Sequence, residues 1–391
     1  MLKLAGKLII FMLPTSLIFA FPAFVYWQAG EIMPVRGYAL AQQGDTEVLF
    51  GLRYENVVRE YKRQLVIQRD PTLITIGASR VFQLRDFFFA SSTRFTNAGG
   101  AIAILGIGGQ GGFRDFTDFL KSLPAENHIT TIIMGVDPFM FQPERTFGLE
   151  GEADSVPERI KTFLSGDWRR VYETYFAGDF TLRELFDRKK NTSAIGMSAL
   201  MDHTGFLNDG SLYEGTKVEP ANHRELLANF LAQKNAELIA DRHSSEYSDG
   251  ISGESIENLK EFLAYCKAKN IYVIGFIPPH PHIFIQTLMS KDDAVSQTVK
   301  RLPGVVQGLF AAQGYPLFDY TDGAKVGIKD TEYLDDLHVS DKGQLKILID
   351  MAEKNQVLAK YVSLPELRAL LARTQDDFIL TNIPKYADKA P

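Results

Sequence analysis

Three side chains, widely separated in the chain, have the types needed to move an acyl group. The first is Ser79, in Leu73-Ile74-Thr75-Ile76-Gly77-Ala78-Ser79-Arg80. The apolar, β-branched run before Gly77 predicts a buried strand. Gly77 breaks it, and Val81–Leu84 can start a helix. A serine on such a turn has its hydroxyl lifted clear of the sheet. It also lies near free backbone N–H groups that stabilise a developing oxyanion. The other two are Asp335 and His338, in Tyr333-Leu334-Asp335-Asp336-Leu337-His338-Val339-Ser340. A spacing of three puts both side chains on one side of a turn. The carboxylate can then hold one imidazole nitrogen while the other faces a hydroxyl, which is how an alcohol nucleophile is activated. Asp336 is the competing carboxylate. Adjacent residues point differently, so it reads as a surface residue. Each motif also has a plainer reading, since Gly and Ser are common in ordinary turns and a single histidine is often structural.

Gly77-Ala78-Ser79-Arg80 followed late by Asp335-x-x-His338 resembles the SGNH (GDSL-type) hydrolase superfamily. An apolar N-terminal segment narrows the likeness to membrane-anchored members acting on cell-surface polymers. These are the DltD-like proteins of teichoic acid D-alanylation and the AlgJ/AlgX-like proteins of alginate acetylation. The similarity covers residues 71–355, with a large insertion. It implies a three-layer α/β/α fold around a mostly parallel sheet, with Ser79 as nucleophile, His338 as proton carrier and Asp335 orienting the imidazole. It implies no metal or organic cofactor. The substrates would be an acylated donor and an envelope polysaccharide, and the partner a multi-span membrane O-acyltransferase.

The resemblance extends to the oxyanion site. Phe95-Thr96-Asn97-Ala98-Gly99-Gly100 is similar to the superfamily's glycine block, where a backbone N–H joins that of the serine. Gly99, after that asparagine, and Gly111, before a predicted helix Phe113–Leu120, are both candidates. Gly106, Gly108 and Gly111 also form a nominal G-x-G-x-x-G. No clear acidic ribose ligand follows at the right distance, which argues against a dinucleotide. The glycines instead suit close approach of backbone to a bound group. After a predicted strand 128–136, Asp137 stands where the superfamily has an oxyanion-donating asparagine. An ionised aspartate accepts hydrogen bonds and repels an oxyanion, so Asp137 reads as orienting a loop or binding substrate hydroxyls.

The elements that must position these residues follow an α/β rhythm. Predicted strands lie at 271–277 and 316–320, and predicted helices at 254–269, 297–313, 340–354 and 364–373. This pattern predicts a mostly parallel sheet covered on both faces. His280 and His282 follow the 271–277 strand, where open sheets bind ligands, and read as lining the cleft or serving the loop rather than holding a metal. A helix is expected across 46–68. Residues 145–250 read as an inserted, mainly helical region with a hairpin tip at 205–211. In it, Trp168-Arg169-Arg170-Val171-Tyr172 and Tyr175-Phe176 interleave rings and cations. They suit either sugar stacking or an amphipathic helix packed on the core.

The chain has 391 residues and a net charge of −6, which argues against nucleic acid. The single cysteine, Cys266, excludes an internal disulfide and reads as buried core. Lys3 and Lys7 precede an uncharged run from Leu8 to Trp27, about 20 residues long and so able to span a bilayer. The lysines predict a single-pass anchor in a bacterial cytoplasmic membrane, with the rest of the chain outside. A cleaved signal peptide is the rival, with Ala39-Leu40-Ala41 as its site, although Pro34 and Arg36 intervene. A non-catalytic envelope subunit that binds glycan or a membrane partner is the alternative to an enzyme.

Overall fold

A computed structural model describes residues 16, 18–44, 46–89, 102–107, 112–143, 157, 160–161, 163–191, 193–220, 222–240 and 247–379. The chain divides into two compact units. The first comprises Met1–Gln64, Gly151–Asn208 and Leu212–Thr216; the second comprises Leu65–Glu150, Asp209–Ser211 and Lys217–Pro391. The expected insertion at 145–250 is therefore shared between the two units.

The second unit is mixed α/β. Five strands, β1 Leu73–Gly77, β2 Ile102–Gly106, β3 Thr131–Gly135, β4 Tyr272–Ile277 and β5 Leu317–Asp319, form one sheet in the order β2-β1-β3-β4-β5. Every neighbouring pair is parallel. All residues of β1, β2 and β3 are buried, so both faces of the sheet are covered. That is why these strands read as unbroken apolar runs rather than alternating ones. The core joins Leu73, Ile104, Ile133 and Phe276 of the sheet to Leu345, Leu348 and Met351 of the helix α4, Asp341–Lys354. Three further helices are α1 Phe113–Ser122, α2 Gly253–Ala268 and α3 Ala294–Ala312. The Phe116 and Phe262 rings join α1 to α2, with centroids 6.2 Å apart. Ser252, Asp293 and Ser340 cap α2, α3 and α4 by accepting from the N–H three residues on. Cys266 lies in α2 without exposure, and burial pushes its thiol up to about 12.

In the order 2-1-3-4-5 the chain leaves β1 toward one side for β2 and returns to the other side for β3. The carboxyl ends of β1 and β3 therefore flank a topological switch point, where open α/β sheets hold ligands.

The first unit carries a small sheet. Leu49–Phe50 pairs in parallel with Ala194–Ile195 and antiparallel with Thr204–Phe206, which forms a hairpin with Leu212–Glu214. The hairpin appears where the 205–211 turn residues predicted it. The helix expected over 46–68 is instead this short strand followed by Val58–Arg69. Gly51 is the reason: a Cβ there would sit 2.2 Å from the Thr204 carbonyl oxygen, so the chain runs tight against the neighbouring strand.

Among the described residues no helix is long and apolar enough to cross a membrane. Residues 1–15 and 17 of the expected anchor region lie outside the described residues. A helix at 18–29 is described, and its far end packs within the first unit. Val25, Tyr26 and Ala29 have no exposure, and Tyr26 stacks on Tyr54 with centroids 5.2 Å apart.

Candidate active site

The turn after β1 is tighter than expected. Ser79–Val81 is a single 3-10 turn rather than the start of an α-helix. Glycines at the ends of three adjacent strands make room for it. A Cβ on Gly106 would meet the Phe82 ring at 2.0 Å, and a Cβ on Gly77 or Gly135 would meet Val81 at 2.8 or 2.6 Å. Val81 and Phe82 thus lie down on the sheet ends. Gly106 accommodates a side chain of the turn, rather than the bound group expected of the glycine-rich stretch.

The histidine comes from a closed loop beyond β5. Tyr333 and Val339 form an antiparallel bridge, and Leu334 N donates to His338 O at 2.7 Å. This brings Asp335 and His338 side by side. His338 Nδ1 lies 2.8 and 2.9 Å from the two Asp335 carboxylate oxygens. His338 Nε2 lies 2.6 Å from Ser79 Oγ, across 259 residues of chain. With a carboxylate at Nδ1, the hydrogen-bond pattern assigns the proton there, so Nε2 accepts from the serine hydroxyl. Ser79 is half-buried and therefore reachable.

Asp335 is held from several directions. Its Oδ1 accepts the N–H of Leu337 at 3.0 Å and of His338 at 2.8 Å. Its Oδ2 accepts from Lys217 Nζ at 2.8 Å. Burial alone would raise this carboxyl. The hydrogen bonds and charges of His338 and Lys217 outweigh burial and hold it well below the usual carboxylate range. Asp335 is thus an anion across the neutral pH range. Asp336 makes no hydrogen bond to the imidazole among the described residues. It is half-buried rather than fully at the surface, and that burial, with the Asp335 charge, raises its carboxyl.

Beneath the serine lies a buried polar network. The Arg80 guanidinium donates to the carbonyl oxygens of Pro278, at 3.3 Å, and Pro279. It also approaches His280 Nε2 at 3.3 Å and Asp137 Oδ1 at 3.6 Å. Asp137 Oδ2 accepts the Ala78 N–H at 3.4 Å, and Gln344 of α4 donates to the Arg80 carbonyl at 2.7 Å. Three side chains from three elements therefore fix the two residues flanking Ser79. Asp137 has no exposure and His280 only 3 %. Of the two expected roles His280 takes the loop one: it packs under the turn rather than lining the cleft. Burial, then the Arg80 charge, push it well below the usual histidine value, so it is neutral. Burial raises Asp137, partly offset by Arg80, and its contacts are those of a residue orienting the turn. With no exposed surface it offers nothing to substrate hydroxyls. His282 opens the helix His282–Ser290 and pairs with Asp322 at 3.0 Å.

For the oxyanion, the Ser79 N–H makes no hydrogen bond among the described residues and sits at the start of its turn. Gly99 and Gly111, the two candidate second donors, lie outside the described residues. Sequence reading missed Arg80, Gln344 and Lys217. Arg80 had one signal, its place next to the serine. Lys217 is 118 residues from its partner and had none.

Comparison with family models, with curated proteins and with solved structures finds no match.

Proposed function

We propose that the chain is a serine acyl-transfer enzyme, SGNH-like in its three-layer α/β/α arrangement, working through Ser79, His338 and Asp335. The observation that carries the reading is the continuous hydrogen-bond line from Ser79 Oγ through His338 to the Asp335 carboxylate. The strand order and the position of Ser79 at the switch point support it. Ser79 Oγ attacks an ester or thioester carbonyl as its proton passes to His338 Nε2. The Ser79 N–H, with a second backbone donor, stabilises the tetrahedral oxyanion. Collapse breaks the bond to the leaving group, which takes the proton from His338. The acceptor hydroxyl then gives its proton to His338 and attacks the acyl-serine, and Ser79 leaves as the alcohol, reprotonated from Nε2. Asp335 stabilises the imidazolium in both halves.

Water as acceptor makes the chain an esterase; a sugar hydroxyl makes it an O-acyltransferase. The lysine-flanked apolar run favours the second, with the site outside a bacterial cytoplasmic membrane and an envelope polysaccharide as acceptor. A multi-span membrane acyltransferase then supplies the acyl group. The test is O-acyl analysis of envelope polysaccharide from cells carrying wild type or Ser79→Ala. Loss of O-acyl groups in the variant is expected; an unchanged polymer contradicts the reading. One observation favours a second reading, a non-catalytic glycan-binding subunit: a buried carboxyl, Asp137, occupies the place of the superfamily's donor asparagine.

A further inference from the structure

Within the first unit, the helix Trp168–Ala177 carries rings at Trp168, Tyr172 and Phe176. That spacing of i, i+4 and i+8 makes one stripe along the helix. Successive rings touch, with centroids 6.3 and 6.0 Å apart. The stripe continues onto the helix at 18–29. Phe19 lies 5.0 Å from Trp168, and Phe21 lies 5.3 Å from Tyr172. Tyr172 Oη donates to the Ile18 carbonyl at 2.9 Å.

A ring cluster of this size normally closes over itself away from water. This one does not. Phe176 is 79 % exposed and Trp168, Tyr172, Phe19 and Phe21 are only half-buried, while Val171 is the one fully covered side chain of the Trp168–Ala177 helix; elsewhere on the unit Trp27 is 65 % exposed. Exposed cations accompany it. Arg169 sits 5.3 Å above the Trp168 ring and is exposed, and the next helix in the chain, Leu182–Asn191, exposes Lys190 and Arg183, the latter 3.8 Å from Asp187.

We propose that this aromatic face seats on a lipid bilayer surface, its rings at the headgroup boundary and its cations toward anionic headgroups. Two observations select lipid over sugar, and a third is consistent with it. The apolar run that begins at Leu8 meets the stripe at Ile18, Phe19 and Phe21. Trp and Tyr next to apolar side chains and Arg or Lys make the composition of a membrane-interface belt. The Tyr172 hydroxyl donates to the backbone carbonyl of Ile18, which ties the stripe to the start of the apolar run rather than leaving that proton for a sugar. The proposal rests on the membrane-anchored reading but not on the acyl-transfer chemistry. Its consequence is that the unit lies flat on the membrane rather than swinging on a tether.

Trp27→Phe leaves Trp168 as the only tryptophan. The full-length Trp27→Phe chain is reconstituted in phosphatidylcholine–phosphatidylglycerol vesicles whose acyl chains are brominated near the headgroups. Trp168 then loses most of its emission, as for a ring about 5–10 Å into the interface. Adding Phe176→Asp, a change at an exposed position that leaves the fold intact, restores the emission. Absence of quenching in a chain that resists carbonate extraction overturns the docking face and leaves the anchor standing. A chain that carbonate releases overturns both. A shift of Trp168 emission on adding alginate oligosaccharide without vesicles overturns the proposal in favour of a glycan site. Reaction of Ser79 with a small fluorophosphonate, which reads the acyl-transfer site alone, is unaffected in every case.

Discussion

Replacing Asp335 by asparagine separates charge from geometry at the proposed triad. The carboxamide oxygen can occupy the place of Oδ1, which already accepts from Leu337 N, His338 N and His338 Nδ1. The loop is therefore expected to hold, and the flipped rotamer would oppose an NH2 to two backbone N–H groups. What disappears is the anion. With charge centres about 4 Å apart and an effective dielectric of about 20, the carboxylate stabilises the imidazolium by about 4 kcal/mol. That corresponds to a rate loss of roughly a thousandfold. The NH2 now faces Nδ1 and Lys217 in place of Oδ2. If this drives the imidazole into its other tautomer, the loss approaches about ten-thousandfold. The assay is hydrolysis of a small nitrophenyl ester by the purified chain, with near-ultraviolet circular dichroism as the check on folding. A folded Asp335→Asn chain with a rate within about tenfold of wild type would refute the reasoning.

Lys217→Met tests the outer pair. Lys217 is 39 % exposed, so its salt bridge is worth about 0–1 kcal/mol and the rate should fall by less than about fivefold; a loss as large as that of Asp335→Asn would mean that the ion pair, not the imidazole, is what Asp335 serves. Arg80→Ala, which leaves Asp137 buried without its cation, should cost about 3–5 kcal/mol in denaturant unfolding, whereas Arg80→Lys should fold but lose activity because an ammonium cannot span Pro278, Pro279 and His280 together. An Arg80→Lys chain as active as wild type would contradict the clamp. Glu31, fully buried and accepting from Met197 N and Arg53 N, is raised by burial from 4.5 to about 7. A raised carboxyl contributes stability that is complete below about 4.5 and lost as pH rises through about 7, at most about 3 kcal/mol. Glu31→Gln keeps the acceptor without the charge, so it should melt above wild type near about pH 8 and lose the wild-type decline from about pH 5. An identical decline in the variant would contradict this.

The parallel sheet was legible because strands covered on both faces write continuous apolar runs, as in Ile132-Ile133-Met134. That Ser79, His338 and Asp335 could meet was legible because the aspartate and histidine are three residues apart and the serine follows a strand at once; the structure joins them by hydrogen bonds. Ser340 announced α4 through its cap. The network under the serine was not legible. Arg80, Asp137, His280 and Gln344 converge only after four elements have packed, and no local pattern encodes that distance. His280 looked like a cleft residue because it follows a strand's carboxyl end. The strand end does lie at the site, but the imidazole turns inward to Arg80. The helix after Ser79 failed to form because the side chains following the serine are drawn onto the glycines of three strands, a fact of strand order rather than of local propensity. The first unit was the least legible, since its small sheet pairs residues near 50 with residues near 195 and 205.

The central claim is that Ser79 is a nucleophile activated by His338. Its most direct measurement is intact-mass analysis of the full-length chain after exposure to a small fluorophosphonate, followed by peptide mapping. One adduct on the peptide that contains Ser79, absent from Ser79→Ala and from His338→Ala, is the predicted result. An adduct at another residue, or none on a folded wild-type chain, would contradict it.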